Sequence, residues 1–113
     1  MTDQADTLAA QLAPYRETPG IVAALLISRD GFVVAADADA DFKTEAVAAQ
    51  AAGVIDVAAR LAAELAQAEA KYISVDFDGL NIVLAPFGGE LMLVLVGLPS
   101  ALACEYHLTK PGA

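Results

Sequence analysis

Tryptophan is absent from this chain, and cysteine and histidine occur once each, as Cys104 and His107. A single cysteine excludes an internal disulfide, and two ligands do not make a zinc site. Cys104 and His107 stand three apart, a spacing that a helix would bring onto one face. No orienting group and no oxyanion-hole signal accompanies them, so they read as a small buried hydrophobe and a structural or solvated histidine. Bases are scarce as well: six Lys and Arg stand against fifteen Asp and Glu, for a net charge of -9. With no basic patch, binding to a nucleic-acid backbone or an anionic membrane would work against that field. The acidity favours solubility and a basic partner.

Long apolar runs are missing too. Leu91 to Leu98 is the longest strongly apolar stretch and is too short to span a bilayer. The opening MTDQADTLAA has no apolar segment of the kind a signal peptide needs, so a cytoplasmic location is expected. The chain carries no Gly-x-Gly-x-x-Gly, phosphate loop or nucleophile elbow. Asp37-x-Asp39-x-Asp41 supplies the first three positions of a calcium loop. Phe42 and Ala48 stand where that loop needs glycine and glutamate, so the stretch reads as a solvated loop. Asp56 has no second carboxylate three or four residues away, as a carboxylate-bridged metal bundle requires. Neither enzyme chemistry nor a cofactor is implied.

What is present is a single-domain chain of 113 residues with a hydrophobic fraction of 58%. Alanine supplies much of that fraction, yet the apolar excess is more than one small core absorbs and argues for an oligomer interface. Leu8 and Leu12 put an apolar patch on a first helix from Thr2 to Ala13, and Pro14 marks its end. Ile21 to Ser28 is continuously apolar, as a strand covered on both faces would be. Asp30-Gly31 turns the chain into a second strand, Phe32 to Ala36. A helix is then expected from about Thr44 to Ala70, capped by Asp41 or Thr44. After it, Tyr72, Ser74 and Asp76 alternate with Ile73, Val75 and Phe77, the pattern of an edge or half-exposed strand. Asp78-Gly79 is a second hairpin turn, and Leu80 to Ala85 is the return strand, which Pro86 ends. Gly88-Gly89 is a third turn, leading to a central strand from Glu90 to Leu98. A short helix over Ala101, Leu102, Glu105 and Tyr106 completes an α/β sandwich.

The long helix is the most informative element. Val47, Ala51, Val54 or Ile55, Ala58, Leu61 and Leu65 form one stripe at three- and four-residue spacing, with Val57 widening it. That stripe is the face a sheet would cover. Ala49, Ala52, Gly53, Ala59 and Ala63 leave a bare flank that admits the close approach of another backbone. Alanine is also simply the best helix former, so the flank alone does not separate a seam from a compositional bias.

The segment GIVAALLISRDGFVVAA, with Ser28-Arg29-Asp30-Gly31 at its turn, resembles the start of the Roadblock domain of the dynein light chain type. The alanine-rich helix from about Glu45 to Gln67 is similar to that family's long central helix. KYISVDFDGLNIVLAPFGGELMLVLV is similar to its last three strands. The likeness runs over about residues 20–98. It implies a five-stranded antiparallel sheet with the long helix on one face and short terminal helices on the other, a longin-like and profilin-like layering. It also implies a homodimer joined through the third-strand edges and the long helices, whose paired helices form a platform. Bacterial members often scaffold or regulate small Ras-like GTPases. Carried onto this chain, the interface would comprise Gly53, Val54, Val57 and Leu61 on the helix with Tyr72, Ser74 and Asp76 on the edge strand. The family often closes with an amphipathic helix of leucine and arginine character, whereas this chain ends SALACEYHLTKPGA. A second reading, independent of any GTPase, is a sensory or structural module holding a small ligand between sheet and helix. It requires a pocket with convergent polar groups.

Overall fold

A computed structural model describes residues 2–68 and 70–99. Helix α1 (Thr2–Arg16) leads into strands β1 (Ile21–Ser28) and β2 (Val33–Ala38). Helix α2 (Thr44–Glu64) then precedes β3 (Ile73–Asp76), β4 (Asn81–Gly88) and β5 (Leu91–Gly97). The strands form one antiparallel sheet in the order β2-β1-β5-β4-β3. The fold is α/β, with the helices on opposite faces of the sheet. The expected C-terminal helix, with Cys104 and His107, lies outside the described residues.

The apolar run of β1 is continuous because both of its faces are covered. Ala23, Leu25 and Ile27 pack in a layer with Met92, Val94 and the α2 residues Ala48, Ala51 and Ile55. Ala24 and Leu26 pack on the other side with Leu93, Leu95 and Leu12 of α1. Adjacent residues thus serve opposite layers, as the two-residue strand period requires. β5, the other fully apolar strand, takes the middle of the sheet.

Several boundaries depart from expectation. Helix α1 continues through Pro14 to Arg16. Proline in a last turn forfeits one backbone bond, and here the turn is tied down from elsewhere. The Thr18 hydroxyl donates to the Pro14 carbonyl at 3.3 Å. Arg16 donates to the Ile21 carbonyl at 2.7 Å, to Asp37 at 3.1 Å and to Asp39 at 2.9 Å. The hydrogen bond to Asp39, ahead of that to Asp37, raises the already high pKa of Arg16. The acidic stretch is an exposed loop only from Asp39 to Lys43, and its first two acids are tied to the fold. Asp37 lies within β2, Asp39 donates its N–H to the Val22 carbonyl, and both carboxylates fasten α1 to the sheet.

Pro86 does not end β4. It lies opposite Met92 of β5, and β3 has already stopped opposite Leu84, so no ladder bond is required from Pro86 on that side. A register shift between Pro86 and Gly88 accommodates the kink.

Helix α2 is capped neither by Asp41 nor by Thr44. Lys43 occupies the N-cap position and makes no side-chain cap bond. The helix ends at Glu64 rather than Ala70. The N–H of Ala66 donates to Ala63 at 3.1 Å and that of Gln67 to Ala62 at 2.9 Å, the two bonds of a Schellman stop. The stop needs a left-handed residue, and Ala66 supplies it with φ 57. An L residue with a Cβ costs roughly 1–2 kcal/mol in that conformation. Ala66→Gly is therefore expected to stabilise the chain by about 1 kcal/mol, read as a higher urea midpoint at fixed protein concentration. No gain would mean that the left-handed stop is unstrained.

Candidate protein-interaction surface

Helix α2 turns its small side to the sheet. Its buried residues are Ala48, Ala51 and Ile55. Of the stripe expected to face the sheet, Val54, Leu61 and Leu65 are instead 41%, 58% and 61% exposed, and Val57 is 55% exposed. The reason is spatial. Leu25, Ile27 and Met92 already fill much of the layer under the helix, and Ala48 and Ala51 let the helix approach, with Ile55 buried beside them. Val54, Val57, Leu61 and Leu65 stand outward and form an exposed line along α2 and its C-cap.

The bare flank is partly occupied by the chain itself. Gly31, with φ +93, lies against α2 so closely that an added Cβ would stand 3.2 Å from the Ala52 Cβ and 3.3 Å from the Ala49 Cα. Ala49 and Ala52 therefore receive the β1–β2 turn. Gly53 remains exposed, with nothing within 4 Å of an added Cβ. It costs roughly 0.5–1 kcal/mol of helix propensity relative to alanine.

Helix α2 lies mainly over β1 and β2. The α2-side face of β3 and β4 is left half open, as a groove of about 370 Å³. Ala46, Val47, Gln50 and Val54 form one wall, and Val75, Phe77, Ile82 and Leu84 form the floor. Phe77 at its end is 60% exposed. A second depression, of about 460 Å³, lies between Leu61 and Leu65 and the segment running to Lys71.

Strand β3 is an edge, as its alternation indicates, but it is shorter than expected and spans only Ile73–Asp76. Tyr72 precedes it, half-buried, and lines a small cavity with Ile55, Ala58 and Ile73. Ser74 and Asp76 are exposed, on the face opposite Val75. Sequence inspection missed their partner, Asn81, which is only 5% exposed. Its Nδ2 donates to the Asp76 carboxylate, to the Val75 carbonyl at 3.2 Å and to Ser74 Oγ at 3.4 Å. Asn81 directly follows the Asp78-Gly79-Leu80 turn, and a buried asparagine beside a hairpin is the signal that could have shown it. Its amide holds the edge strand in register, at the Asp76↔Asn81 pair.

No catalytic motif occurs in the sequence. Among the described residues, no group of three or more His, Cys, Asp or Glu could hold a metal ion. Helix α2 is long and apolar enough to cross a membrane by length and composition, unlike the Leu91 to Leu98 stretch. It is here the layer packed on the sheet.

The architecture has close counterparts. "MglB with tetrameric arrangement" is 24% identical with a TM-score of 0.76, covering 94% of this chain and 79% of that one. A gliding protein MglB from Thermus thermophilus is also 24% identical, with a TM-score of 0.74 and the same coverage. A Roadblock/LC7 domain from Streptomyces avermitilis is 20% identical, with a TM-score of 0.75, over 88% of this chain and 82% of that one. No curated protein matches the chain. The family model of the Roadblock/LC7 domain matches residues 5–97, and the chain belongs to that family.

Proposed function

We propose that this chain is a cytoplasmic homodimeric interaction module that scaffolds or regulates a small Ras-like GTPase. The observation that carries the self-association is the placement of Val54, Val57, Leu61 and Leu65 on the outside of α2, beside an open groove and an open sheet edge. Surface apolar residues scattered singly need no explanation, but a continuous line of four with a groove at its side does. In this reading Gly53, Val54, Val57 and Leu61 meet their counterparts across a two-fold axis, and Tyr72, Ser74 and Asp76 form the strand side of the seam.

The GTPase partner is supported by family membership and by the resemblance of the fold to MglB structures. The net charge of -9 suits a partner with a basic contact surface. The test is to mix the chain with purified small Ras-like GTPases from the same organism, each loaded with GDP or with a non-hydrolysable GTP analogue. A complex in one nucleotide state, weakened by added salt, is the expected result. Absence of binding in both states would overturn the partner assignment. The small-ligand alternative has less support, because the groove walls are apolar apart from Lys43 and Gln50.

A further inference from the structure

The geometry points to a specific register for the dimer: two copies of β3 pair antiparallel with Val75 of each chain on the two-fold axis. This rests on the homodimer reading and adds to it the alignment of the strands.

Opposed residues in a sheet must point to the same face. When a strand pairs antiparallel with its own copy, a residue must therefore lie opposite itself at the axis. The remaining question is which one. Backbone direction narrows it. The Phe77 N–H donates inward to the Leu80 carbonyl at 2.7 Å, closing the β3–β4 hairpin. Direction alternates along an antiparallel strand, so Val75 also turns inward, and its carbonyl is reached by Asn81 at 3.2 Å. Ser74 and Asp76 therefore turn their backbone N–H and C=O toward the open edge. Their midpoint is Val75. A two-fold axis there places Ser74 opposite the partner's Asp76, and Asp76 opposite the partner's Ser74, so both outward residues of each chain enter the ladder.

The side chains fit the same alignment. On the α2 face, Val75 meets its own copy and Ile73 meets Phe77, which covers the exposed ring at the end of the groove. On the other face, a serine hydroxyl lies opposite each Asp76 carboxylate and can donate to it. Moving the axis to Asp76 would set the two carboxylates directly opposite, which is unfavourable. Moving it to Ser74 would put Lys71 rather than the apolar Ile73 opposite Phe77, and Tyr72 rather than Ser74 opposite Asp76. The Asn81 amide on Asp76 holds each carboxylate against its own chain.

Single-cysteine variants in a Cys104→Ser background test the register under mild oxidation. At the axis, the Cα atoms of a non-hydrogen-bonded pair lie about 4.5 Å apart, within disulfide reach. Val75→Cys is expected to convert most of the chain to a covalent dimer on a non-reducing gel. Ser74→Cys places its own copy on the diagonal, about 7–8 Å away, and is expected to remain largely uncrosslinked. The paired variant Ser74→Cys with Asp76→Cys restores crosslinking. A crosslink at Ser74→Cys and none at Val75→Cys would overturn the register. No crosslink in any variant, with light scattering still giving a dimer mass, would overturn strand pairing while leaving the dimer intact. A monomer mass for the Cys104→Ser parent would instead overturn the homodimer reading itself.

Discussion

Val57→Asp is expected to weaken self-association by about 100-fold or more while leaving the monomer folded. The two effects separate because Val57 is 55% exposed in the single chain, so the carboxylate is solvated there. Surface substitutions of this kind usually change stability by within about 0.5 kcal/mol. In the proposed dimer the same side chain enters an apolar seam beside its counterpart on the partner. Burying a charge without a partner costs several kcal/mol, and each 1.4 kcal/mol is about tenfold in affinity. Gly53→Leu provides a contrast of opposite sign. Nothing stands within 4 Å of an added Cβ at Gly53, and replacing a mid-helix glycine contributes roughly 0.5–1 kcal/mol to the monomer. The expected outcome is a chain that resists urea slightly better and dimerises less well. Sedimentation velocity across a dilution series reads both variants. Unchanged dissociation constants in both would place the interface elsewhere.

Leu12→Ala is expected to lower the unfolding free energy by about 3 kcal/mol, a large share of the roughly 5–15 kcal/mol available to a domain. Leu12 is fully buried, and it is the α1 residue in the layer formed with Leu26, Leu93 and Leu95. Removing its branched end leaves a cavity that the flanking β-sheet residues cannot collapse into. Leu8, half-buried at the rim of the same layer, serves as the comparison, and Leu8→Ala is expected to cost clearly less. Urea unfolding at one fixed protein concentration makes the comparison, because dimerisation adds a concentration-dependent term. A cost for Leu12→Ala below about 1 kcal/mol would mean that α1 is peripheral to the fold.

The strands were largely legible in the residues. Continuous apolar runs marked β1 and β5 as internal, Asp-Gly pairs marked two turns, and alternation from Ile73 onward marked β3 as an edge. These are local signals, set by the two-residue period and by glycine at turns. Features set by distant partners were not legible. Arg16 reaches carboxylates 21 and 23 residues away, so nothing local distinguished Asp37 and Asp39 from loop acids. The orientation of α2 was legible in part: Ala51 and Ile55 of the expected stripe are buried, whereas Val54, Leu61 and Leu65 are exposed. In a helix lined with alanine, the large residues define a stripe, and such a stripe normally faces the core. Here the sheet supplies most of the bulk, through Leu25, Ile27 and Met92, and the helix supplies Ala48, Ala51 and Ile55. The same inversion places Val54, Val57 and Leu61 where a second protein surface can reach them. The end of α2 was hidden because Ala66 takes a conformation normally filled by glycine.

Self-association through the outer line of α2 and the β3 edge is the claim on which the rest depends. Its most direct test is the light-scattering mass of the unmodified chain at tens of micromolar. The expected mass is twice that of the 11.6 kDa chain. A mass equal to one chain at that concentration would contradict it.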